Sequence, residues 1–192
     1  PAYWLASTPA GIYRSENGGR SWAEISPPWT GWDMAFGAEG RLFAARSDGV
    51  AWADHLAGTP VAWQEADGLN GVLFFSTNPH PTQPDLLWAG TWGNDVGVSK
   101  DGGQSLESLG NGLETLSVLD LLWHPTPGQV TAATIEGLYR TDDGGERWFK
   151  LPGPLGRQTV YHLRQTDDGT ILAAAADWTR FDGQSFRITD AA

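Results

Sequence analysis

The 192-residue chain is predicted to be an all-β protein, because short apolar segments alternate with Asp-Gly turns along its length. Residues 137–148 read G-L-Y-R-T-D-D-G-G-E-R-W, so a short strand runs into a turn and a second strand begins at Trp148. Asp-Gly supplies the positive φ angles that a tight hairpin turn needs. The phrase returns at intervals of about 40 residues, which with four short strands is the period of a propeller blade. The sequence therefore predicts a β-propeller of about five four-stranded blades.

Four further copies of this phrase set the period. Residues 11–22 read G-I-Y-R-S-E-N-G-G-R-S-W, residues 97–106 read G-V-S-K-D-G-G-Q-S-L, and residues 179–186 read T-R-F-D-G-Q-S-F. Asp101 and Asp143 are 42 residues apart and Asn17 and Asp101 are 84 apart, so one copy should lie between the first two. A degraded copy, G-V-A-W-A-D, does begin at residue 49. We therefore predict one domain, 1–192, with blades at about 1–27, 28–68, 69–112, 113–153 and 154–192.

Each blade is predicted to contain strands a, b, c and d, counted outward, with the Asp-Gly turn between c and d. Inner strands that pack on both faces read as continuous apolar runs, which explains why polar and apolar residues alternate only in part. The predicted strands are 3–7, 11–15 and 22–25 in the first blade, 32–37, 41–45, 50–54 and 61–65 in the second, 72–78, 86–91, 96–100 and 105–109 in the third, 118–124, 129–134, 137–141 and 147–151 in the fourth, and 160–165, 170–175, 179–181 and 185–189 in the fifth.

The first blade has no predicted strand a, which would leave a hydrogen-bonding edge beside the core. Three alternatives account for this: residues before Pro1 are missing, the first blade has three strands, or a second polypeptide covers the edge. We expect missing upstream residues, and self-association through the open edge is the alternative that a mass measurement would reveal.

Composition limits the classes of partner. With 23 acidic and 12 basic residues the protein has a net charge of −11. This charge argues against nucleic acid and against anionic membranes, which both attract basic surfaces, and favours cationic or neutral partners.

No apolar run approaches the roughly 20 residues that span a bilayer, so no membrane insertion is predicted. The absence of cysteine excludes thiolate metal sites, and we predict no cofactor and no metal. The compartment is left open.

The phrase S/T-x-D-G-G-x-S/T-W resembles the Asp-box, or BNR, repeat of sialidases, sortilin-type receptor domains, xyloglucanases and photosystem assembly factors. Residues 87–103, L-W-A-G-T-W-G-N-D-V-G-V-S-K-D-G-G, are similar to the sortilin and xyloglucanase kind of repeat. The resemblance implies a propeller fold but no single function, because the motif is structural and its hosts differ. The sequence departs from these families in having about five blades, where six or more are usual, and in lacking the Arg-Ile-Pro strand of sialidases.

The turn residues and the aromatic residues that follow them are predicted to hold the blades together. Short carboxylate and amide side chains accept hydrogen bonds from the backbone of a turn, and a ring on the returning strand buries a large apolar area. The residues given these structural roles are Asn17, Trp22, Asp101, Asp143, Trp148, Asp182 and Phe186.

The b–c loops and the loops from d to the next a should share the end of the sheets opposite the Asp-Gly turns, and we predict that this end is the ligand face. Its Trp residues lie outside the packing position of the repeat, and rings beside carboxylates can stack on sugars or hold cationic side chains. The candidate binding residues are Trp29, Arg46, Asp48, Trp92, Asn94, Asp95, Glu114, Glu136, Arg157, Asp177 and Trp178.

The predicted function is a non-catalytic propeller that recognises a protein, peptide or carbohydrate ligand through this face. The alternative is a glycan-active enzyme of the xyloglucanase or sialidase kind, since glycoside hydrolysis needs two carboxyl groups across the bond and Asp95, Glu136 and Asp177 lie on successive blades. No Ser-His-Asp array, phosphate-binding Gly loop or zinc-ligand spacing is present in the sequence, and no catalytic residue is predicted.

Overall fold

The computed structural model describes residues 3–56, 58, 60–93, 95–113, 117–176 and 184–188, the last segment as backbone alone. The described residues form β-strands joined by turns, with a single 3-10 turn at Ala38–Gly40 and no α-helix. The protein divides into two compact units, one of Pro1–Leu87 with Val98–Glu107 and one of Trp88–Gly97 with Ser108–Ala192. In these described ranges, no helix has the length and apolar character to cross a membrane.

Eighteen strands are present in the described residues. Their bounds are β1 Trp4–Thr8, β2 Gly11–Ser15, β3 Ala23–Glu24, β4 Gly31–Phe36, β5 Leu42–Arg46, β6 Gly49–Ala53, β7 Gln64–Glu65, β8 Phe74–Pro79, β9 Leu87–Thr91, β10 Val96–Ser99, β11 Glu107–Ser108, β12 Val118–Trp123, β13 Val130–Thr134, β14 Gly137–Thr141, β15 Phe149–Lys150, β16 Thr159–Gln165, β17 Ile171–Ala176 and β18 Gln184–Ile188. They form five sheets, in the orders β1-β2-β3, β4-β5-β6-β7, β8-β9-β10-β11, β12-β13-β14-β15 and β16-β17-β18. Sequence neighbours are therefore spatial neighbours in every sheet, as the repeat predicts.

The inner strand of several sheets is bulged. The register of β4 against β5 shifts between Gly31 and Asp33, and that of β12 against β13 shifts between Val118 and Asp120. A bulge adds one residue to one strand and re-aims the next side chain. In each of these two strands, the side chain after the bulge is an aspartate.

Each unit has an apolar core built on its second strands. In the first unit, every residue of β5 and of β6 is buried, and Leu42, Ala44 and Ile12 belong to one cluster. In the second unit, Val160, Leu163 and Ile171 form the corresponding cluster with residues of β13 and β14. The strand β8 packs on β4 and β5, and β16 packs on β12 and β13. Strands that pack on both faces in this way cannot alternate polar and apolar residues, which confirms the expected reason for the continuous apolar runs.

The all-β prediction is confirmed, and the observed strands lie within a few residues of the predicted ones through the first four sheets. The first sheet has three strands in the described residues, with β1 at its edge and no strand a, as the sequence predicts.

The fifth sheet corrects the prediction. Residues 185–189 were expected to form the outer strand d, but β18 pairs directly with β17, through Ala173↔Phe186 and its neighbours, and so occupies the place of strand c. The sequence could not decide this, because the last copy is one glycine shorter and its apolar alternation fits a third strand as well as a fourth. The predicted strand at 179–181 and the predicted turn residue Asp182 lie outside the described residues.

Candidate functional site

The acidic turns between strands c and d share one hydrogen-bonding pattern. In the fourth sheet, the Thr141 hydroxyl donates to Asp143 Oδ1 (2.8 Å) and accepts from the backbone N–H of Gly145 (2.8 Å), while Asp143 Oδ1 accepts from the backbone N–H of Arg147 (3.0 Å). Ser99 and Asp101 repeat this arrangement in the third sheet, and Ser15 and Asn17 repeat it in the first. The three hydroxyl-bearing residues are buried. The structural role of Asn17, Asp101 and Asp143 is therefore to close these turns.

Hydrogen bonding also sets the charge of the turn carboxylates. A backbone hydrogen bond from Arg147, followed by the bond from Thr141, lowers the pKa of Asp143 below its ordinary value. Burial acts to raise the pKa of Asp101, but hydrogen bonds from Ser105 and Ser99 lower it overall. Groups held as charged acceptors by the turn are poorly suited to proton transfer, so these turns are structural.

The tryptophans predicted to pack the blades differ from one another. Trp148 is buried and makes an edge contact with Trp88 at 5.6 Å between ring centroids. Trp22 is 42% exposed, and its indole N–H donates to the backbone oxygen of Gly19. Trp22 is therefore not a buried residue, and the ring lies beside Gly19 of its own turn. Phe186 lies on β18, of which the backbone alone is described.

At the opposite end, the b–c turns lie against the loops that leave strand d. The backbone N–H of Gly71 donates to the backbone oxygen of Asp48 (2.9 Å), and the backbone N–H of Ile12 donates to the Ser26 hydroxyl (2.8 Å). A Cβ at Gly110 would stand 2.2 Å from the Cβ of Asp95. In these three sheets both kinds of loop therefore share one end, as the meander order requires.

The b–c turns follow one pattern, from which a single described turn departs. Thr8 and Thr134 each pair with the glycine three residues later and donate their hydroxyl to its backbone oxygen, at 2.8 and 2.9 Å. Thr91 likewise donates to the backbone oxygen of Asp95. In the second sheet the same place is taken by Arg46, which pairs with Gly49 across a two-residue turn. A charged side chain has replaced a hydroxyl that the turn uses for its own closure.

Arg46 lies at the centre of a polar and aromatic cluster in the first unit. Its side chain is only 5% exposed, and its guanidinium donates to Glu65 Oε1 (2.7 Å) and lies 3.0 Å from Asp48 Oδ1. The Trp29 ring covers the guanidinium at 4.6 Å from its centroid, and the Trp63 ring meets Trp29 edge-on at 5.2 Å. A buried guanidinium needs such partners, because leaving its charge unpaired out of water is costly. We call these residues the Arg46 cluster.

The two carboxylates of the Arg46 cluster reach solvent while the arginine does not. The side chains of Asp48 and Glu65 are 61% and 68% exposed. Each uses one oxygen on the guanidinium, so the other oxygen can accept hydrogen bonds from a ligand. Trp29 is half-buried, and its indole N–H has no hydrogen-bond partner among the described residues. The cluster thus offers two acceptors held at a fixed spacing beside an aromatic ring.

The structure brings together three of the predicted binding residues, Trp29, Arg46 and Asp48. Arg46 is buried, and the Trp29 ring packs against its guanidinium.

The other described candidates lie in the second unit. Trp92 is 57% exposed, and Glu136 and Arg157 are exposed on their loops. Asp95 is held by the outer strand of its sheet, where Oδ2 accepts from the hydroxyl of Ser108 on β11 at 3.2 Å. Asn94, Glu114, Asp177 and Trp178 lie outside the described residues.

Sequence reasoning missed Glu65 and two inner-strand aspartates. Glu65 ends a strand d, and aligning strand ends across the repeats would have placed it beside Arg46. Asp33 Oδ2 accepts from the backbone N–H of Thr77 (2.9 Å), and Asp120 Oδ2 accepts from that of Leu163 (2.8 Å). Each carboxylate therefore ties its bulged strand to strand a of the following sheet. Each aspartate lies 43 or 44 residues before its backbone donor, which is about one repeat, so comparing equivalent positions of successive repeats could have found these bonds.

Among the described residues, Asp120 is the buried acidic residue. Burial raises its pKa, and hydrogen bonds from Leu163 and Leu121 act in the opposite direction. His162 Nδ1 stands 3.7 Å from Oδ2 on the exposed side. Both oxygens of Asp120 accept backbone hydrogen bonds, so its geometry is that of a strand tie. No group of three or more metal-ligating side chains is present among the described residues.

No protein-family model and no curated protein matches the sequence. Solved structures match it in fold. YCF48 from Cyanidioschyzon merolae has a TM-score of 0.67 and 18% identity over 92% of this chain and 62% of that chain. The fold is a β-propeller. YCF48 bound to D1 peptide has a TM-score of 0.65 and 18% identity over 90% of this chain and 58% of that chain. The GH74 xyloglucanase from Xanthomonas campestris has a TM-score of 0.69 and 15% identity over 97% of this chain and 34% of that chain.

The protein spans less than two thirds of the length of each of these structures. The identities are low, so the likeness concerns the fold, and the resemblance to Asp-box repeats stays a prediction.

Proposed function

We propose that the protein is a non-catalytic recognition module that binds a peptide or protein segment carrying a basic side chain at the Arg46 cluster. The observation that carries this proposal is the replacement of a turn-closing threonine by Arg46, with its guanidinium buried and its two carboxylate partners exposed. A residue needed only for the turn would be a threonine, as at Thr8 and Thr134.

The charges of the cluster favour a cationic group. One guanidinium faces two carboxylates, so the cluster carries one net negative charge, and the whole protein has −11. A lysine or arginine side chain would place its N–H donors on the outward oxygens of Asp48 and Glu65. The Trp29 ring beside them adds the apolar and cation–π surface on which such a side chain packs.

The solved structures support a peptide ligand in general terms. One of the matching propellers is YCF48 bound to D1 peptide, so a propeller of related fold holds a peptide. The residues that would do so in the present protein are our proposal.

The test uses labelled hexapeptides that contain one lysine or arginine at each position in turn, with glutamine in the reference series. We expect binding of the basic series and a loss of about tenfold for each of Asp48→Asn and Glu65→Gln, since a hydrogen bond to a charged group contributes about 1.5–3 kcal/mol. Asp54→Asn is the matched control, because Asp54 is a partly exposed carboxylate in an ion pair with Arg41 at the other end of the same sheet. Equal losses in all three variants, or equal binding of the glutamine series, would refute the proposal.

A glycan-active role is the second candidate. It is favoured by the match to a GH74 xyloglucanase and by the two exposed carboxylates that share the Arg46 guanidinium. The test measures reducing ends released from xyloglucan and from sialylated glycans. Hydrolysis that disappears in Asp48→Asn, Glu65→Gln, Asp95→Asn or Glu136→Gln would establish this role in place of simple binding.

Self-association through the edge of β1 is also a proposal. Within the described residues β1 pairs with β2 alone, and a free strand edge is a template for another strand. Light scattering should give a mass above 20.7 kDa that rises with concentration. A constant monomer mass would exclude it.

A further inference from the structure

The loop after β15 carries two basic side chains that share one open cleft in the second unit. Lys150 ends β15, Arg157 lies seven residues later, and both line a cleft of about 670 Å³ with Leu151, Pro152, Gly153 and Pro154. Both basic residues are exposed. This cleft is separate from the Arg46 cluster and does not depend on the function proposed for it.

Within the described part of the protein, Lys150 and Arg157 form no ion pair, as is also true of Arg20, Arg147 and Arg164, but Lys150 and Arg157 line one cleft together. Arg14, Arg41, Arg46, Lys100 and Arg140 each lie within 4 Å of a carboxylate. No carboxylate of the described residues forms an ion pair with Lys150 or Arg157. This includes the exposed Glu136, which lies at the same end of the sheet. In a protein with a net charge of −11, an unneutralised pair of cations in one cleft is a local reversal of charge.

The reversal occurs at a defined position of the repeat. Glu24 pairs with Tyr13, Glu65 pairs with Ala51, and Lys150 pairs with Tyr139, so all three end strand d at the same place. The first two sheets carry a carboxylate there and the fourth carries an ammonium group. The ammonium lies 5.5 Å from the centroid of the Tyr139 ring, which holds its stem against the sheet.

The loop that carries Arg157 is fixed in place. Leu155 is buried in the core of the second unit, and the backbone N–H of Gly156 donates to the Gly153 oxygen (3.2 Å). A Cβ at Gly137 would stand 2.8 Å from the Leu155 oxygen, so the loop rests on the b–c turn. Pro152 and Pro154 restrict the backbone further. A loop ordered before binding loses little entropy when a ligand arrives.

We propose that this cleft binds a peptide carboxylate, either the C-terminus of a polypeptide or an acidic side chain. The planar guanidinium of Arg157 matches a carboxylate with two parallel N–H donors, and Lys150 adds a point charge. Leu151, Pro152 and Pro154 supply apolar walls for the aliphatic part of the same residue. A polyanion such as nucleic acid does not fit, because the rest of the protein repels it.

The experiment follows the backbone amide signals of residues 151–157 by NMR during titration with three hexapeptides of one neutral sequence. The first has a free C-terminus, the second has an amidated C-terminus and one glutamate, and the third has an amidated C-terminus and glutamine. We expect saturable shifts with at least one carboxylate peptide, which identifies the source, and none with the third. No shift with either carboxylate peptide, or equal shifts with the neutral one, would overturn the proposal.

Variants separate the cleft from general attraction. The double variant Lys150→Gln with Arg157→Gln should weaken binding at least tenfold, and added salt should weaken the wild type but not the variant. Lys100→Gln is the control, because Lys100 is an exposed cation already paired with Glu107, and it should change the affinity less than twofold. Both altered side chains are exposed, so the double variant should fold. Wild-type affinity in the double variant would overturn the proposal.

Discussion

A buried hydroxyl closes each of the three described turns of the first, third and fourth sheets, and it accounts for the Ser or Thr two residues before Asn17, Asp101 and Asp143. Ser15, Ser99 and Thr141 accept from the second glycine of their turns at 2.8 Å in each case. The glycine must be glycine because its φ is positive and its Cα faces packed side chains, as at Gly145, where a Cβ would stand 2.3 Å from the Trp88 ring. The hydroxyl and the glycine therefore act as one unit.

Replacement of Thr141 by alanine should lower the free energy of unfolding by about 1–3 kcal/mol, because the buried N–H of Gly145 loses its acceptor. Thr141→Ser should cost less than about 1 kcal/mol, since serine fills the same place at Ser15 and Ser99. Denaturation in urea measures both values. Equal losses would show that the threonine methyl group, and not the hydroxyl, stabilises the turn.

The turn carboxylates should make stability depend on pH in the acid range. The pKa of Asp143 is lowered from its ordinary value of 3.8 when the protein folds. Its contribution is therefore fully present above that ordinary value and is lost as the pH falls through the folded pKa. Asp143→Asn should flatten this acid limb while leaving stability at pH 7 little changed, because Asn17 closes the first turn equally well. An unchanged acid limb, measured by unfolding between pH 2 and pH 6, would contradict the assignment.

At the scale of an element, the returning strand of each acidic turn has one inward position, and what fills it depends on the sheet behind it. Trp148 is 6% exposed and lies among Trp88 and its neighbours, and Leu106 is equally buried in the third sheet. Trp22 has the same sequence position and remains 42% exposed. One motif thus gives a core residue in the interior sheets and a surface residue in the first.

This difference predicts unequal costs for one substitution. Trp148→Ala should lower the free energy of unfolding by roughly 3–5 kcal/mol, the usual cost of a large buried side chain. Trp22→Ala and Trp92→Ala should cost far less, because both rings are about half exposed. Chemical denaturation of the three variants provides the comparison, and a similar loss at Trp148 and at Trp22 would contradict the packing described here.

At the scale of the whole molecule, charge rather than shape distinguishes the candidate sites. The protein has a net charge of −11. The Arg46 cluster presents two outward carboxylates, whereas the cleft of Lys150 and Arg157 presents two basic side chains. A long-range field of this sign steers positive ligands and repels negative ones, and salt screens it over about 10 Å at 0.1 M.

Association of a basic peptide with the Arg46 cluster should therefore slow by about tenfold between 0.01 M and 0.15 M salt, while dissociation changes little. Stopped-flow measurement of both rates tests this. The carboxylate ligand of the Lys150 and Arg157 cleft provides the contrast, because its approach is opposed by the net charge and its association rate should fall less. The same decline for both ligands would remove the role assigned to the field.

The fold was largely predictable and the site only in part. Tight turns and short strands depend on local residues, so the phrase around Asp143 was sufficient to predict sheets of neighbouring strands. The sequence also placed Trp29, Arg46 and Asp48 at one end of a sheet. It did not show that Arg46 is buried or that Glu65 shares it, because both facts depend on the packing of a strand end 19 residues away.

What the sequence determined by itself is the repeat: the acidic turns, the strand order and the end of each sheet at which the variable loops lie. These follow from φ preferences and hydrogen bonds within a few residues. Only the tertiary structure decided which repeat positions are buried, that Trp22 is exposed while Trp148 is core, and that β18 takes the third place in its sheet. Burial and strand pairing are contacts between distant segments, so similar local sequences can take different roles when different neighbours cover them.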